Sequence, residues 1–354
     1  MTLRKVEGQP RAVETLRAAL RSGAIHHAYL FTGPEGVGRE LAAVGLVQAL
    51  LCAVQPNEGC GECDVCLRVE KMSHPDVAWV MPQEEMVARK LAGRSDFSGT
   101  VSKEIRVEQV RQLQERLSLR SLEGGYKAAI VPSAEKMNPQ AQNALLKTLE
   151  EPPARTLLVL LASSVDKLLP TILSRCARVS FGPLPLPFLR DQLVQRRQLD
   201  PHTAELAAVL AGGSLSKALA LDVEGLAKRR EVIERFESLN PSDARGWIRF
   251  SEAMAGSREE AEDALRVLSL WIRDVALAQA GSGDLCNHDL AELAAEAARR
   301  CPPEVLHRRY ELLNETREAI IEHYASPRLA MERMLIGMLT PTWLNPPPES
   351  WKRQ

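Results

Sequence analysis

The chain has 354 residues, of which 45% are hydrophobic and 26% are charged, with 45 basic side chains against 46 acidic ones. This length predicts two or three domains with a substantial core. A net charge of −1 argues against a protein that binds DNA alone through a strong basic field. No apolar run reaches the ~18–20 residues needed to span a bilayer, and Met1–Gly8 contains no apolar signal core, so a cytosolic protein is expected.

The first half of the chain alternates between predicted helices and strands. Short apolar runs predict strands, and amphipathic or apolar stretches predict helices. The strands are expected at Ala28–Thr32, Val77–Val80, Lys127–Val131 and Thr156–Ala162, and the helices at Val6–Leu20, Leu41–Leu51, Ile105–Leu119 and from Asn138 to Pro152. The polar stretch 83–103 is expected to be a surface loop. This alternation, which continues to about residue 181, predicts an α/β domain with a parallel sheet.

Gly182–Pro187 is the clearest break, because three alternating prolines cannot continue a helix or a central strand. Helical patterns fill the rest of the chain. They are expected at Leu189–Arg197, Thr203–Ala211, Ser216–Lys228 and Arg229–Leu239, and throughout Arg245–Leu339. The expected domains are therefore an α/β domain at 1–181, a small helical domain at 182–222, a helical domain at 223–344 and a tail at 345–354.

Four of the seven cysteines cluster between residues 52 and 66. Cys60, Cys63 and Cys66 are each separated by two residues, a spacing that directs sulfurs at one metal ion. With Cys52 they make the closed set of four thiolates typical of a structural zinc site, which has no open position for catalysis. The alternative is a group of buried or redox cysteines. An odd total without an export signal argues against a disulfide framework.

The turn after the first strand is close to a phosphate-binding loop, which requires Gly, four residues, Gly, Lys and then Ser or Thr. Gly33 and Gly38 are in place with Gly36 between them, but Arg39 stands at the Lys position and Glu40 at the hydroxyl position. The planar fork of Arg39 fits poorly against β- and γ-phosphates. Glu40 puts a carboxylate where a hydroxyl would bind Mg²⁺. The sequence thus argues against ATP or ADP binding by this chain itself.

A second strand of a nucleotide site should end in an acidic pair that serves magnesium and water. After Lys127–Val131 the chain instead reads Pro132-Ser133, and the next carboxylate is Glu135. Two independent losses therefore point to a nucleotide fold without its catalytic residues. The alternative is that Gly33–Glu40 is only a glycine-rich turn between a strand and a helix.

Sequence runs between Gly8 and Cys176 resemble the AAA+ subunits of bacterial clamp loaders. Asn143–Pro153 resembles their signature helix, Thr171–Cys176 their Ser-Arg-Cys motif, and Gly8-Gln9 with His27–Pro34 their approach to the phosphate loop. A four-cysteine insertion is a further trait of the family, although its first spacer of seven residues is slightly short here. The resemblance covers roughly residues 6–220, and beyond them only the helical character agrees.

The resemblance implies an AAA+ α/β domain that carries the zinc module, a helical lid and a C-terminal helical collar domain. It also implies the non-motor type of subunit, because motor subunits carry the residues missing at Arg39, Glu40 and Ser133, and a nucleotide-sensing arginine near Ser216. For Arg175 it implies an arginine finger that reaches the ATP of a neighbouring subunit, a contact typically worth ~10³–10⁵ in rate. Without the resemblance, Arg175 would be interpreted as a structural ion pair.

The resemblance further implies partners. These are motor subunits and a clamp-opening delta subunit in a hetero-pentamer, with the sliding clamp and primer-template DNA reached through the assembly. The implied role is to help DNA polymerase III load its clamp on primed DNA without ATPase activity in this chain. Two alternatives stay open, an active motor-type subunit with an unusual Arg39 and a zinc-stabilised scaffold unrelated to replication. Pro132-Ser133 argues against the first. Glu150-Glu151, at the end of the signature helix, are expected to cap it or to bridge to a neighbour.

Overall fold

The structure is a computed structural model that describes residues 2–97, 99–321 and 323–339, apart from the side chain of Val223. These residues form two compact units. The first runs to Phe188 and also contains Gly213–Ser216, and the second contains Leu189–Gly212 and the residues from Lys217 onward. The division into domains at 181 and 222 stays a prediction. Residues 340–354, including the expected tail, lie outside the described residues.

The first unit is built on a parallel sheet. Its five strands are β1 (Ala28–Thr32), β2 (Val77–Trp79), β3 (Lys127–Val131), β4 (Thr156–Ala162) and β5 (Ala177–Ser180). They lie in the order β2-β3-β4-β1-β5, and every neighbouring pair is parallel. β1, β3 and β4 are buried almost throughout, as expected of parallel strands covered on both faces. The predicted α/β fold class is confirmed.

The register brings several strand ends to one edge of the sheet. Thr32, the last residue of β1, lies opposite Ala162 of β4 and Ser180 of β5. Val131, the last residue of β3, lies opposite Leu160. The loops that follow β1, β3 and β4 therefore leave from the carboxyl edge, where open α/β sheets bind their ligands.

Seven helices accompany this sheet, most of them where the sequence predicted helix. They are α1 (Pro10–Ser22), α2 (Arg39–Leu51), α3 (Asp64–Glu70), α4 (Gln83–Ala88), α5 (Val107–Ser118), α6 (Pro139–Glu150) and α7 (Pro170–Leu173). The predicted start of the first helix at Val6 was wrong, because Gly8 has a left-handed φ of 72° and Pro10 opens the helix. The expectation of a loop over 83–103 was also wrong in part, since α4 and a 3-10 turn at Arg94–Asp96 lie there.

From Leu186 onward every regular element that the structure describes is a helix, as predicted. The helices are α8 (Leu186–Arg197), α9 (Pro201–Leu210), α10 (Leu215–Ala220), α11 (Val223–Glu237), α12 (Ala244–Met254), α13 (Arg258–Gln279), α14 (Ala291–Arg300), α15 (Pro303–Ile321) and α16 (Pro327–Leu339). The single helix predicted over Ser216–Lys228 is divided, because the Asp222 carboxylate accepts from the Gly225 N–H and starts α11 anew. The fully buried Trp271 lies in the core of the second unit.

Across the described part of the chain, none of these helices combines the length and the apolar character that a membrane crossing requires.

Candidate functional site

Three glycines shape the loop between β1 and α2. Gly33, Gly36 and Gly38 have φ angles of 141°, 73° and 99°, a region that other residues enter at a cost. A Cβ on Gly33 would lie 2.0 Å from the carbonyl oxygen of Phe181, and one on Gly36 would lie 2.3 Å from Ser214 Oγ. The predicted loop is therefore present, and two of its glycines are required by close packing against this chain's own atoms.

Arg39, the first residue of α2, is an internal charge. It is 8% exposed, and its Nη1 has no hydrogen-bond partner among the described residues. Burial lowers the pKa of Arg39, while the nearby carboxylates of Glu135, Glu35 and Glu40 act in the opposite direction. An arginine stays protonated under these conditions. Its positive charge therefore lies among carboxylates of its own chain.

Glu40, at the position of the missing magnesium-binding hydroxyl, is paired with Arg89. The guanidinium of Arg89 donates to both Glu40 carboxylate oxygens, at 2.6 and 2.8 Å, and to Glu85 at 2.7 Å. These contacts, with Glu40 first, raise the pKa of Arg89. The carboxylate that the sequence placed beside a phosphate is thus already neutralised. Arg89 follows α4, in the stretch expected to be a loop, so sequence reasoning missed it.

The position of the missing acidic pair belongs to the same group of side chains. The Ser133 hydroxyl donates to Glu85 at 3.0 Å. Glu40, Glu85, Arg89 and Ser133, which we name the Arg89 cluster, thus connect the start of α2 with the end of β3. Motor-type nucleotide sites hold Mg²⁺ between these two places. Here a side-chain cation lies between them.

The next carboxylate, Glu135, is engaged elsewhere. Its Oε1 accepts from the backbone N–H and the hydroxyl of Ser163, at 3.2 and 2.5 Å. Ser163 directly follows β4, at the carboxyl edge of the sheet. Glu135, the first carboxylate after β3, therefore links the end of β3 to the end of β4 and is not a free magnesium ligand.

A segment before and within α10 packs directly on the loop. The Leu215 N–H donates to the Gly36 carbonyl oxygen at 3.0 Å. A Cβ on Gly36 would lie 2.8 Å from Cβ of Ser216, the residue at the expected sensor-arginine position. The space beside Gly36 is therefore occupied by this chain's own backbone and side chains.

The four predicted cysteines meet at one point. Their sulfur atoms all lie within 4.8 Å of one another. Cys52 Sγ lies 3.6 Å from Cys60 Sγ and 3.9 Å from Cys63 Sγ, and Cys60 Sγ lies 3.9 Å from Cys66 Sγ. Four thiolates in a tetrahedron with metal–sulfur bonds of ~2.3 Å have sulfurs ~3.8 Å apart. The cluster could therefore bind a metal ion.

Backbone N–H groups favour the thiolate form in part of this cluster. The N–H groups of Glu62 and Cys63 point at Cys60 Sγ, at 3.5 and 3.3 Å, and lower the pKa of Cys60 to about 6. Burial instead raises the pKa of Cys66 to about 12. As a metal ligand, Cys66 would be a buried thiolate, and a bound cation would compensate its negative charge.

Polar contacts attach the cysteine module, residues 52–70, to its surroundings in the first unit. Gln48 of α2, fully buried, donates to the Cys66 carbonyl oxygen at 2.8 Å. Arg68 of α3 forms a two-pronged pair with Glu123, at 2.6 and 3.1 Å, and Glu123 also lies 3.3 Å from the buried ring of His74. The module is thus attached to both α2 and the loop before β3.

Arg175 lies after α7 and before β5, away from these contacts. Its Nη2 pairs with Glu150 Oε1 at 2.7 Å, and its Nη1 donates to the Thr171 carbonyl oxygen at 3.0 Å and to Ser174 Oγ at 3.4 Å. Its side chain is 35% exposed. The sequence thus located an accessible arginine, and the structure adds a carboxylate that holds it.

Two family models match the chain. The model described as "DNA polymerase III, delta subunit" matches residues 8–185, and "DNA polymerase III, delta subunit, C terminal" matches residues 224–339. Curated relatives agree. DNA polymerase III subunit delta' of Bacillus subtilis is 32% identical over 287 residues, covering 78% of this chain and 80% of the relative. The same subunit of Escherichia coli is 29% identical over 338 residues, covering 90% and 95%. DNA polymerase III subunit tau of Escherichia coli is 31% identical over 232 residues, covering 64% and 33%.

Solved structures show weaker likenesses. A gamma subunit-related protein of DNA polymerase III from Thermotoga maritima is 19% identical with a TM-score of 0.39, covering 92% of this chain and 98% of that one. The RuvB Holliday junction branch migration motor of Thermotoga maritima is 11% identical with a TM-score of 0.41, covering 78% and 77%. The assignment therefore rests on the family models and the sequence relatives. By both, the chain belongs to the family of DNA polymerase III delta' subunits.

Proposed function

We propose that this chain is the non-motor, delta-prime subunit of a DNA polymerase III clamp loader. It works in the cytoplasm in a hetero-pentamer with motor subunits and a delta subunit, and helps to place the sliding clamp on primer-template DNA. Similarity to delta' subunits over most of the chain and to a tau subunit over 64% of it supports this role.

The Arg89 cluster carries the proposal that this subunit does not hydrolyse ATP. Hydrolysis needs Mg²⁺ between the phosphate loop and the end of the neighbouring strand. In this chain Arg89 joins Glu40 to Glu85 there, and Ser133 donates to Glu85. Neither a free magnesium ligand nor the lysine of the phosphate loop is present at these positions.

We propose that Arg175 is the finger that acts on ATP bound to the neighbouring subunit. A guanidinium on a γ-phosphate stabilises the charge that develops during phosphoryl transfer. Arg175 is partly exposed and follows a short helix, so its side chain has a path away from the chain. The charge that the phosphate loop does not use would thus be offered across a subunit interface.

We propose that the cysteine cluster binds Zn²⁺ in a structural role. Cys52, Cys60, Cys63 and Cys66 offer four sulfurs within 4.8 Å of one another, and three of their separations, 3.6 to 3.9 Å, are close to those of a tetrahedral zinc site. Bound zinc would compensate the thiolate charges and hold α3 against α2. Elemental analysis should find one zinc per chain, and removal by a chelator should lower the melting temperature. A folded protein without metal would contradict this role.

The test of the main proposal begins with the purified chain. It should show no ATPase above background, with or without Mg²⁺. Robust Mg²⁺-dependent turnover by the chain alone would refute the non-motor assignment.

The finger is tested in a reconstituted loader. Arg175→Ala should slow ATP turnover at one site while the complex still assembles, because the side chain is partly exposed and its loss leaves the core unchanged. Arg178→Ala, an exposed arginine of β5 three residues away, is the matched control and should leave turnover unchanged. An unchanged rate in the Arg175→Ala complex would remove the finger role.

A further inference from the structure

We infer that Glu150 is a latch for Arg175. In the free chain its carboxylate holds the guanidinium against this subunit, and ATP on the neighbouring subunit must displace Glu150 before the finger engages. This inference rests on the finger role proposed above and adds a positioning residue to it. Its first observation is the 2.7 Å contact between Arg175 Nη2 and Glu150 Oε1.

The contacts of Arg175 come from two helices. Glu150 is the last residue of α6, the signature helix, whereas Thr171 and Ser174 belong to α7 and its end. Nη1 is already bound to the Thr171 carbonyl oxygen and near Ser174 Oγ, both on the arginine's own segment. Glu150 is thus the one charged partner among the described residues, and it alone attaches the finger to a different helix.

The negative charge of Glu150 opposes phosphate binding by Arg175. A carboxylate that stays 2.7 Å from the guanidinium would be brought against the oxygens of the γ-phosphate. Two anionic groups would then compete for one cation, and like charges at this range repel. Nη1 is bound within its own segment and Nη2 is bound to Glu150, so Nη2 becomes fully available to a γ-phosphate when the Glu150 contact opens.

The latch is also weak enough to open. The side chains of Arg175 and Glu150 are 35% and 50% exposed, so water screens their attraction. Ion pairs of this kind contribute little to stability, whereas a phosphate group carries more negative charge than one carboxylate and offers three strong acceptor oxygens. ATP on the neighbour can therefore displace Glu150, at the cost of part of its own binding energy.

Glu150→Gln tests the latch in the reconstituted loader. Glutamine keeps the size of the side chain and removes its charge. The matched control is Glu115→Gln, which removes the same charge from an exposed side chain of α5 that forms no ion pair with any described residue. Arg175→Ala identifies the component of ATP turnover that the finger controls. Gel filtration checks that every complex assembles.

For that component, Glu150→Gln should lower KM for ATP about two- to fivefold and leave kcat unchanged, as expected from losing a half-exposed ion pair that competes with binding. Glu115→Gln should change neither. A lower kcat in Glu150→Gln would mean that Glu150 orients the finger, and an unchanged KM would mean that it does not restrain it; both results overturn the latch. If Arg175→Ala itself leaves turnover unchanged, the finger role fails, and the latch fails with it.

Discussion

Arg89→Ala asks whether this guanidinium stands in for a metal ion in the fold. Arg89 donates hydrogen bonds of 2.6, 2.8 and 2.7 Å to two carboxylates, and its side chain is 27% exposed. Glu85 is 17% exposed and Glu40 is 36% exposed. The contribution of their ion pairs with Arg89 is expected to lie between that of surface ion pairs, about 0–1 kcal/mol, and that of buried ones, which cost about 3–5 kcal/mol to break. Since Glu40 is more exposed and adds little, we expect a loss of about 2 kcal/mol in the free energy of unfolding.

The same substitution should create a response to magnesium. It leaves Glu40, Glu85 and the Ser133 hydroxyl as oxygen donors without the guanidinium that bridges them, and oxygen is the ligand that Mg²⁺ prefers. At a free Mg²⁺ concentration ten times the dissociation constant, binding would restore about 1.4 kcal/mol of the free energy of unfolding. The unsubstituted protein should show no such gain, because Arg89 already occupies these carboxylates.

Scanning calorimetry with and without MgCl₂ measures both effects. A loss of about 2 kcal/mol corresponds to a melting temperature lower by about 4–8 °C for a unit of this size. Arg89→Lys should be intermediate, since it keeps the charge and loses the planar fork. Arg94→Ala is the control, an exposed arginine of the same segment without an ion pair to any described residue. Equal melting of Arg89→Ala and the unsubstituted protein, or equal stabilisation of both by Mg²⁺, would refute the reasoning.

Two further predictions concern the loop and the cysteine module. Gly36→Ala should cost clearly more than Gly23→Ala in urea unfolding, because both glycines have a φ near 70° but only the Cβ on Gly36 would meet Ser214 Oγ, at 2.3 Å, whereas nothing lies within 4 Å of one on Gly23. The left-handed backbone alone accounts for about 1–2 kcal/mol, so equal losses would show that the packing is unimportant. Burial lowers the pKa of His74 below its usual 6.5, although the carboxylate of Glu123 acts in the opposite direction. Below pH 6.5 His74 is therefore protonated more readily in the unfolded chain than in the folded one. The free energy of unfolding should therefore fall as the pH drops below about 6.5, and His74→Asn should flatten that decline; an unchanged decline would exclude His74 as its source.

Local patterns sufficed for much of this fold. The strands at Ala28–Thr32, Lys127–Val131 and Thr156–Ala162 have the bounds that their apolar runs predicted. The cluster of four cysteines was predicted from their spacing, since a group within fifteen residues is a local feature. The Arg89 cluster could not be found in this way. Two of its contacts, Arg89–Glu40 and Ser133–Glu85, join residues 49 and 48 positions apart. Arg89 and Glu85 also lie in a polar segment whose composition is typical of a loop.

The contact with a residue remote in sequence also changes the interpretation of Glu40. From the sequence, its carboxylate is a defect that puts a negative charge where a hydroxyl would bind Mg²⁺. In the structure it is half of a compensated pair, since Arg89 holds both of its oxygens. A pattern can show which residue type is missing from a site, but the replacement for its function comes from a residue remote in sequence.

The glycines of the loop then need no nucleotide to explain them. In a nucleotide-binding loop, glycine lets the backbone approach phosphates. Here Gly33 has no room for a Cβ because of the Phe181 carbonyl, and Gly36 has none because of Ser214. The Gly36 carbonyl also accepts from the Leu215 N–H. Substituting these glycines would therefore disturb the packing of Gly213–Ser216 even if no phosphate ever entered the loop, and for this reason a glycine pattern by itself is poor grounds for assigning ATP binding.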